Sequence, residues 1–148
     1  MKSKFTQKLV IFAPLFLAFV SLSAAAQSAV LQIDHSKVGA AFAKGMPLFE
    51  TNSFKIHASR RETPGLAEIH TRDTDIVYVL EGAATLVTGG KALGTKTIGP
   101  EEIRGDAIEG GQVQHIVKGD VVVIPKGVPH WFKEVSGPLL YYVVKVTQ

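Results

Sequence analysis

An all-β sandwich or barrel with one short N-terminal helix is the fold class this sequence predicts, and three observations carry it. From Asn52 onward, short apolar or alternating runs follow one another, Gly- and Pro-containing pairs punctuate them, and a single stretch has helical spacing. The helical stretch is Ser36 to Lys44, where Val38, Ala41 and Phe42 fall at helical intervals and Gly45-Met46-Pro47 closes it. The strands predicted after it are Phe54 to Ser59, Ala67 to His70, Ile76 to Leu80, Ala84 to Thr88, Val113 to Val117, Asp120 to Ile124 and Leu140 to Val146. Val, Ile, Tyr, Phe and Thr fill them, side chains that fit a pleated, half-buried surface. Pro64-Gly65, Glu81-Gly82, Gly89-Gly90, Lys118-Gly119 and Lys126-Gly127 supply turn chemistry between them. Residues 89–111 are rich in Gly and carry Glu101, Glu102, Arg104, Asp106 and Glu109, which predicts a long loop: a lid, a dimer contact or a solvated insertion. No segment repeats at a fixed period.

The 148 residues divide into 1–26, a predicted signal peptide, and 27–148, a predicted single domain. Lys2, Lys4 and Lys8 form a basic start, Leu9 to Leu22 an apolar run, and Ala24-Ala25-Ala26 a small-residue cleavage site, so the expected mature start is Gln27. The apolar run contains Pro14 and is shorter than the roughly 20 residues that cross a bilayer, so no membrane anchor is expected after cleavage. The expected location is periplasmic or secreted. Three of the 16 Lys+Arg lie in this leader, and the 13 that remain equal the 13 Asp+Glu. The basic pI of 9.2 therefore belongs to the leader, and Arg60-Arg61 is the one basic pair left. That argues against a nucleic-acid partner, which needs clustered positive charge. With no Cys, disulfides, thiolate nucleophiles and thiolate metal ligands are excluded.

Two stretches carry candidate chemistry. The first is Glu68-Ile69-His70 followed by Asp75 to Gly82, and the second runs from Gly119 through Pro125, Gly127 and His130 to Phe132. They resemble the two motifs of the cupin superfamily. The second has the family spacing in full: Gly119, five residues, Pro125, one residue, Gly127, two residues, His130. The first departs from the family's His-x-His, then Glu, then Gly. Counting back from Gly82 puts Asp75 at the Glu position, His70 at the second His and Glu68 at the first. The other register, with His70 first and Arg72 second, leaves too few residues before Asp75. The opening Gly is displaced to Gly65, and Glu134 stands where the family has Asn.

The resemblance implies a cupin-type double-stranded β-helix, a jelly-roll barrel, holding a divalent metal through Glu68, His70, Asp75 and His130. On a strand, Glu68 and His70 point to one face. Two imidazoles and up to two carboxylates suit Fe, Mn, Zn or Ni, and Glu68, His70 and His130 alone make a two-His-one-carboxylate set. Asp75, one methylene shorter than Glu, is either a ligand or an orienter of an imidazole. Glu68 is the candidate acid or base where it does not ligate, with a salt-bridge role as its rival, and Tyr78 is a candidate proton donor. His57, alternating with Lys55 and Ser59, is expected to be exposed or to face the barrel mouth, His35 and His115 stand at background, and Trp131 and Phe132 are expected to pack in the core or a dimer interface.

No nucleophile elbow, phosphate loop, dinucleotide fingerprint or zinc helix is present. The expectation is an exported metal-binding cupin acting on a small organic molecule, by oxygenase, isomerase or epimerase, or lyase chemistry. The alternative is a non-catalytic cupin binding a sugar or hydroxy acid, and a third is a structural module. A homodimer is expected, with Leu139 to Val146 apolar enough to contribute.

Overall fold

The computed structural model describes residues 30–148, of which Gln32–Gln148 form one compact unit. The predicted signal peptide and the expected start at Gln27 lie outside the described residues. Helix α1 (His35–Lys44) begins where the Asp34 carboxylate accepts from the backbone N–H of Ser36 at 2.8 Å, and ends on Gly45 in the left-handed region. Phe42 on this helix meets Tyr142 edge-to-face with centroids 4.9 Å apart, which fixes the helix against the outside of a sheet. Among the described residues no helix is long and apolar enough to cross a membrane.

Among the described residues eleven strands follow: β1 (Met46–Glu50), β2 (Phe54–Arg61), β3 (Ala67–His70), β4 (Asp73–Thr88), β5 (Lys91–Leu93), β6 (Lys96–Gly99), β7 (Glu102–Gly105), β8 (Ala107–Glu109), β9 (Gln112–Val117), β10 (Val121–Ile124) and β11 (His130–Thr147). The long strands β4 and β11 run antiparallel along most of their length and belong to both layers of the barrel. Their Asp73–Glu81 and Leu140–Thr147 halves lie between β10 and β2, with β1 outside β2. Their Ala83–Thr88 and His130–Ser136 halves pair with β9 on one side and reach β3, β7 and β6 on the other. This is the all-β jelly-roll barrel the sequence predicts.

Two expectations need correcting. Glu81-Gly82 was expected to reverse the chain, whereas Gly82, at φ 83°, bends β4 as it passes from one layer to the other. A Cβ there would collide with the carbonyl oxygen of Pro138 on β11, so the crossing requires glycine. The stretch 89–111 is not one long loop. Its residues form β5 to β8, with β7 continuing the sheet beside β3 and β5 pairing β8 as a ribbon. Strands of three or four residues with only one or two apolar side chains each are too short to show the alternation that marks a strand in sequence, so backbone pairing defines them. β1 escaped because Met46-Pro47 also reads as a helix stop.

Alternation along the long strands sorts the interior by polarity. On β4, Asp73, Asp75, Val77 and Val79 point inward, and on β11 Tyr141, Val143 and Lys145 do so. Val77, Val79, Ala84, Leu86, Ile116, Phe132, Leu139, Tyr141 and Val143 form the apolar core. Phe132 thus packs inside as expected, while Trp131 is half-buried and donates its indole N–H to Gly65 O at 2.6 Å. Asp73, Asp75 and His130 are the buried polar residues, and burial at that density demands partners. One end of the barrel is therefore an apolar plug and the other a polar chamber.

Candidate metal centre

Two backbone ties bring the two motifs together. His130 starts β11 directly opposite Glu68 on β3, and Gly127 N–H, in the Pro-Gly turn, donates to His70 O at 2.8 Å. The same turn leaves the Val128 carbonyl facing His130 Nδ1 at 3.1 Å. Nδ1 must carry the proton to make that bond, which leaves the Nε2 lone pair free and aimed into the chamber. The spacing of the second motif is thus the geometry of a turn that docks on β3 and fixes a tautomer.

Four ligand atoms converge there. His70 Nε2 lies 3.7 Å from Glu68 Oε2 and 3.5 Å from Asp75 Oδ2, and His130 Nε2 lies 4.0 Å from each. The imidazole centroids are 5.1 Å apart. Glu68, His70 and His130 each offer one donor within 4.8 Å of the others, the arrangement a single metal ion requires. His70 Nε2 is buried with no hydrogen-bond partner, an orphaned atom of the kind that marks a site for an ion. The donor set fits a divalent first-row metal.

Electrostatics prepare the same atoms. Burial holds the pKa of both His70 and His130 below that of a free imidazole, so both are neutral at pH 7 and present lone pairs rather than charge. Burial pushes Glu68 upward, yet the charge and hydrogen bond of Arg61 outweigh it, and the carboxyl titrates below its ordinary range. Arg61 Nη2 holds Glu68 Oε1 at 3.0 Å, while Oε2 turns toward the histidines. Arg61 is itself fixed by Tyr141, whose hydroxyl accepts from Nε at 3.0 Å, and its guanidinium carbon sits 4.6 Å from the Phe132 ring centroid. Asp75 has a different fate: Lys145 Nζ reaches both of its oxygens, at 2.8 and 2.7 Å.

Glu68, His70, Asp75 and His130 are therefore brought together, and Tyr78 is not. Tyr78 alternates out of register with Val77 and Val79, lies 44% exposed on the outer face, and cannot reach this chamber. The phenol inside is Tyr141. His57, expected at the surface or the barrel mouth, lines the cavity mouth and contacts Glu50 at 2.8 Å. Arg61, Arg104 and Lys145 were missed. Extending the alternation Lys55, His57, Ser59 by one step reaches Arg61, and stepping by two from Tyr141 reaches Lys145; both signals were legible, but a charged residue at a strand end reads as solvated.

The chamber has a volume of about 260 Å3. A larger hollow of about 610 Å3 opens between β9 and β10, but Gln, Val and Ile side chains dominate its walls, and among the described residues no group of three metal-donor side chains lies in it. Chemistry, not volume, marks the site.

The model of the cupin family matches residues 22–148. The chain is a cupin. Its fold is similar to that of BH2720 from Bacillus halodurans, with a TM-score of 0.57 at 15% identity over 84% of this chain and 85% of that one. Protein NMB1881 from Neisseria meningitidis aligns with a TM-score of 0.53 at 14% identity, over 79% of this cupin and 100% of the other. KdgF from Halomonas sp. aligns with a TM-score of 0.50 at 16% identity, over 69% and 77% of the two chains. At such identities the likeness establishes the fold alone. No curated protein matches the sequence.

Proposed function

We propose that this chain is an exported cupin that holds one divalent first-row metal through Glu68, His70 and His130 and acts on a small organic molecule. The observation that carries the reading is the orphaned, buried Nε2 of His70 facing the Nε2 of His130 and the Oε2 of Glu68. A bound metal would supply Lewis acidity toward a carbonyl or carboxylate, or a centre for oxygen chemistry. The chain's own residues set the conditions. Val128 O keeps the His130 proton on Nδ1, Arg61 keeps Glu68 ionised, and Asp75 is placed by Lys145 beside His70 rather than committed to the metal. Burial raises the Tyr141 phenol, so its proton stays in place at neutral pH. Reaction types within reach are oxygenase, isomerase or epimerase, and lyase.

A second reading, a cupin that binds a small ligand without catalysis, draws support from the same cations. Arg61 pairs with Glu68 and Lys145 with Asp75, so the chain's own side chains compensate both carboxylates. Metal content of the purified protein by mass spectrometry separates the two, beside His70→Ala and His130→Ala. Near-stoichiometric metal, lost in both folded variants, supports the first; a folded protein that takes up none of Fe(II), Mn(II), Ni(II) or Zn(II) leaves only the second.

The proposal includes a homodimer. Val121 and Tyr78 lie side by side on the outer face, as do Val123 and Ile76, and all four are exposed. Sedimentation velocity tests it: a monomer at micromolar concentration removes it.

A further inference from the structure

The metal reading has a consequence in charge. Among the residues that line the chamber, Arg61, Arg104 and Lys145 face Glu68, Asp75 and Glu102, three cations against three carboxylates. The chamber is balanced as it stands. A divalent ion would leave two positive charges uncompensated in a confined, poorly solvated space, and an anionic ligand offsets them where a neutral one does not.

The three cations differ in what they have left to offer. Arg61 is committed to Glu68 and Tyr141, and Lys145 to both oxygens of Asp75. Arg104 stands across from Glu68 on β7, its Nη2 3.8 Å from Glu68 Oε1. It spends Nε and Nη2 on one oxygen of Glu102, at 2.8 and 2.7 Å, and Nη1 has no partner among the described residues. Its side chain is 39% exposed, so it stands at the mouth within reach of an entering molecule. Two other carboxylates at the mouth are matched by cations, Asp73 by Lys55 and Glu101 by Arg72, and Glu50 lies in hydrogen-bond contact with His57 at 2.8 Å. They do not cancel Arg104. A volume of about 260 Å3 in a chamber open at its mouth suits a small ligand.

We propose that the ligand of this chamber is a small carboxylate anion anchored by Arg104, bound when the metal site is filled. This rests on the metal reading above, and the experiment keeps the two apart. The purified protein is loaded with Mn(II), its metal content measured, and the proton relaxation of acetate, lactate and malonate followed by NMR beside that of the neutral lactamide and glycerol. The expected result is saturable enhancement for at least one carboxylate and none for the neutral molecules. Arg104→Gln is expected to keep the metal stoichiometry and weaken carboxylate binding by at least about tenfold, with Arg104→Lys between the two. Equal enhancement for lactate and lactamide, no enhancement for any carboxylate, or unchanged affinity in Arg104→Gln overturns the proposal while the loaded metal stands. A protein that takes up no Mn(II) overturns the metal reading for that ion and the carboxylate proposal with it.

Discussion

Arg61→Gln tests whether Glu68 is ionised because Arg61 makes it so. The side chains of the pair are 20% and 13% exposed, their contact is 3.0 Å, and Arg61 also carries Tyr141, so removing the guanidinium strands a buried carboxylate and a phenol. Truncating one partner of such a pair costs about 3–5 kcal/mol at a pH where the other stays charged. The variant has an escape: without Arg61, burial is opposed only by the weaker pull of His130 and Arg104, so the Glu68 carboxyl rises and takes a proton more readily as pH falls. Protonation of His70 and His130 in the same interval relieves the carboxylate further. In the wild type the sign is opposite. A depressed carboxyl stabilises above its unfolded pKa and loses that stability only as pH falls through the folded value. The difference in unfolding free energy between wild type and Arg61→Gln should thus be largest near pH 8. It should shrink toward pH 5 by about 1 kcal/mol per unit where the variant's Glu68 titrates. Urea titrations of the metal-free proteins at several pH values measure it. A difference that is constant from pH 5 to 8, or below about 1 kcal/mol throughout, refutes the assignment of the Glu68 charge to Arg61.

Three further outcomes follow from the same geometry. Because burial depresses His70 and His130, both bury neutral. The metal-free protein should keep their contribution above the unfolded imidazole value and lose it as pH falls below about 6.5, visible as a falling urea midpoint between pH 7 and 5. Tyr141→Phe removes the acceptor of a buried Arg61 N–H and should cost about 1–3 kcal/mol, whereas Tyr78→Phe, on the outer face, should stay within about 0.5 kcal/mol, both read by thermal unfolding. Gly82→Ala forces a Cβ into the Pro138 carbonyl at positive φ, and a loss of about 1–3 kcal/mol is expected; an unchanged melting temperature would show that β4 and β11 cross with room to spare.

The fold was legible wherever burial wrote an alternation into the sequence. Ala67–His70 matches its prediction to the residue, and α1 and β9 differ from theirs by one position, because each has an apolar face and a turn or cap at its end. What escaped lacks that signature. Ile76 to Leu80 and Ala84 to Thr88 were separate strands in sequence because Glu81-Gly82 carries turn chemistry, yet Gly82 here serves close approach to Pro138. Strands β5 to β8 are held by backbone pairing with little apolar burial, and pairing partners are chosen by the rest of the fold, which no local window contains.

The site divides along the same line. His70 and His130 were legible because a Pro-Gly turn and strand parity fix where they point. Asp75 was legible as a position, but its partner was not: Lys145 lies far away in sequence and meets it only because β11 returns alongside β4 in a register that sets Lys145 opposite Asp75. That register decides what Asp75 can do. With both oxygens accepting from an ammonium at 2.8 and 2.7 Å, Asp75 already has a partner for its charge, and drawing it away from Lys145 leaves a cation with 13% exposure unpaired. The chain avoids that cost if Asp75 stays with Lys145 and the metal takes Glu68, His70 and His130. The shorter carboxylate at this position is matched to the lysine opposite it: Asp75 keeps its negative charge beside His70 while both of its oxygens accept from Lys145.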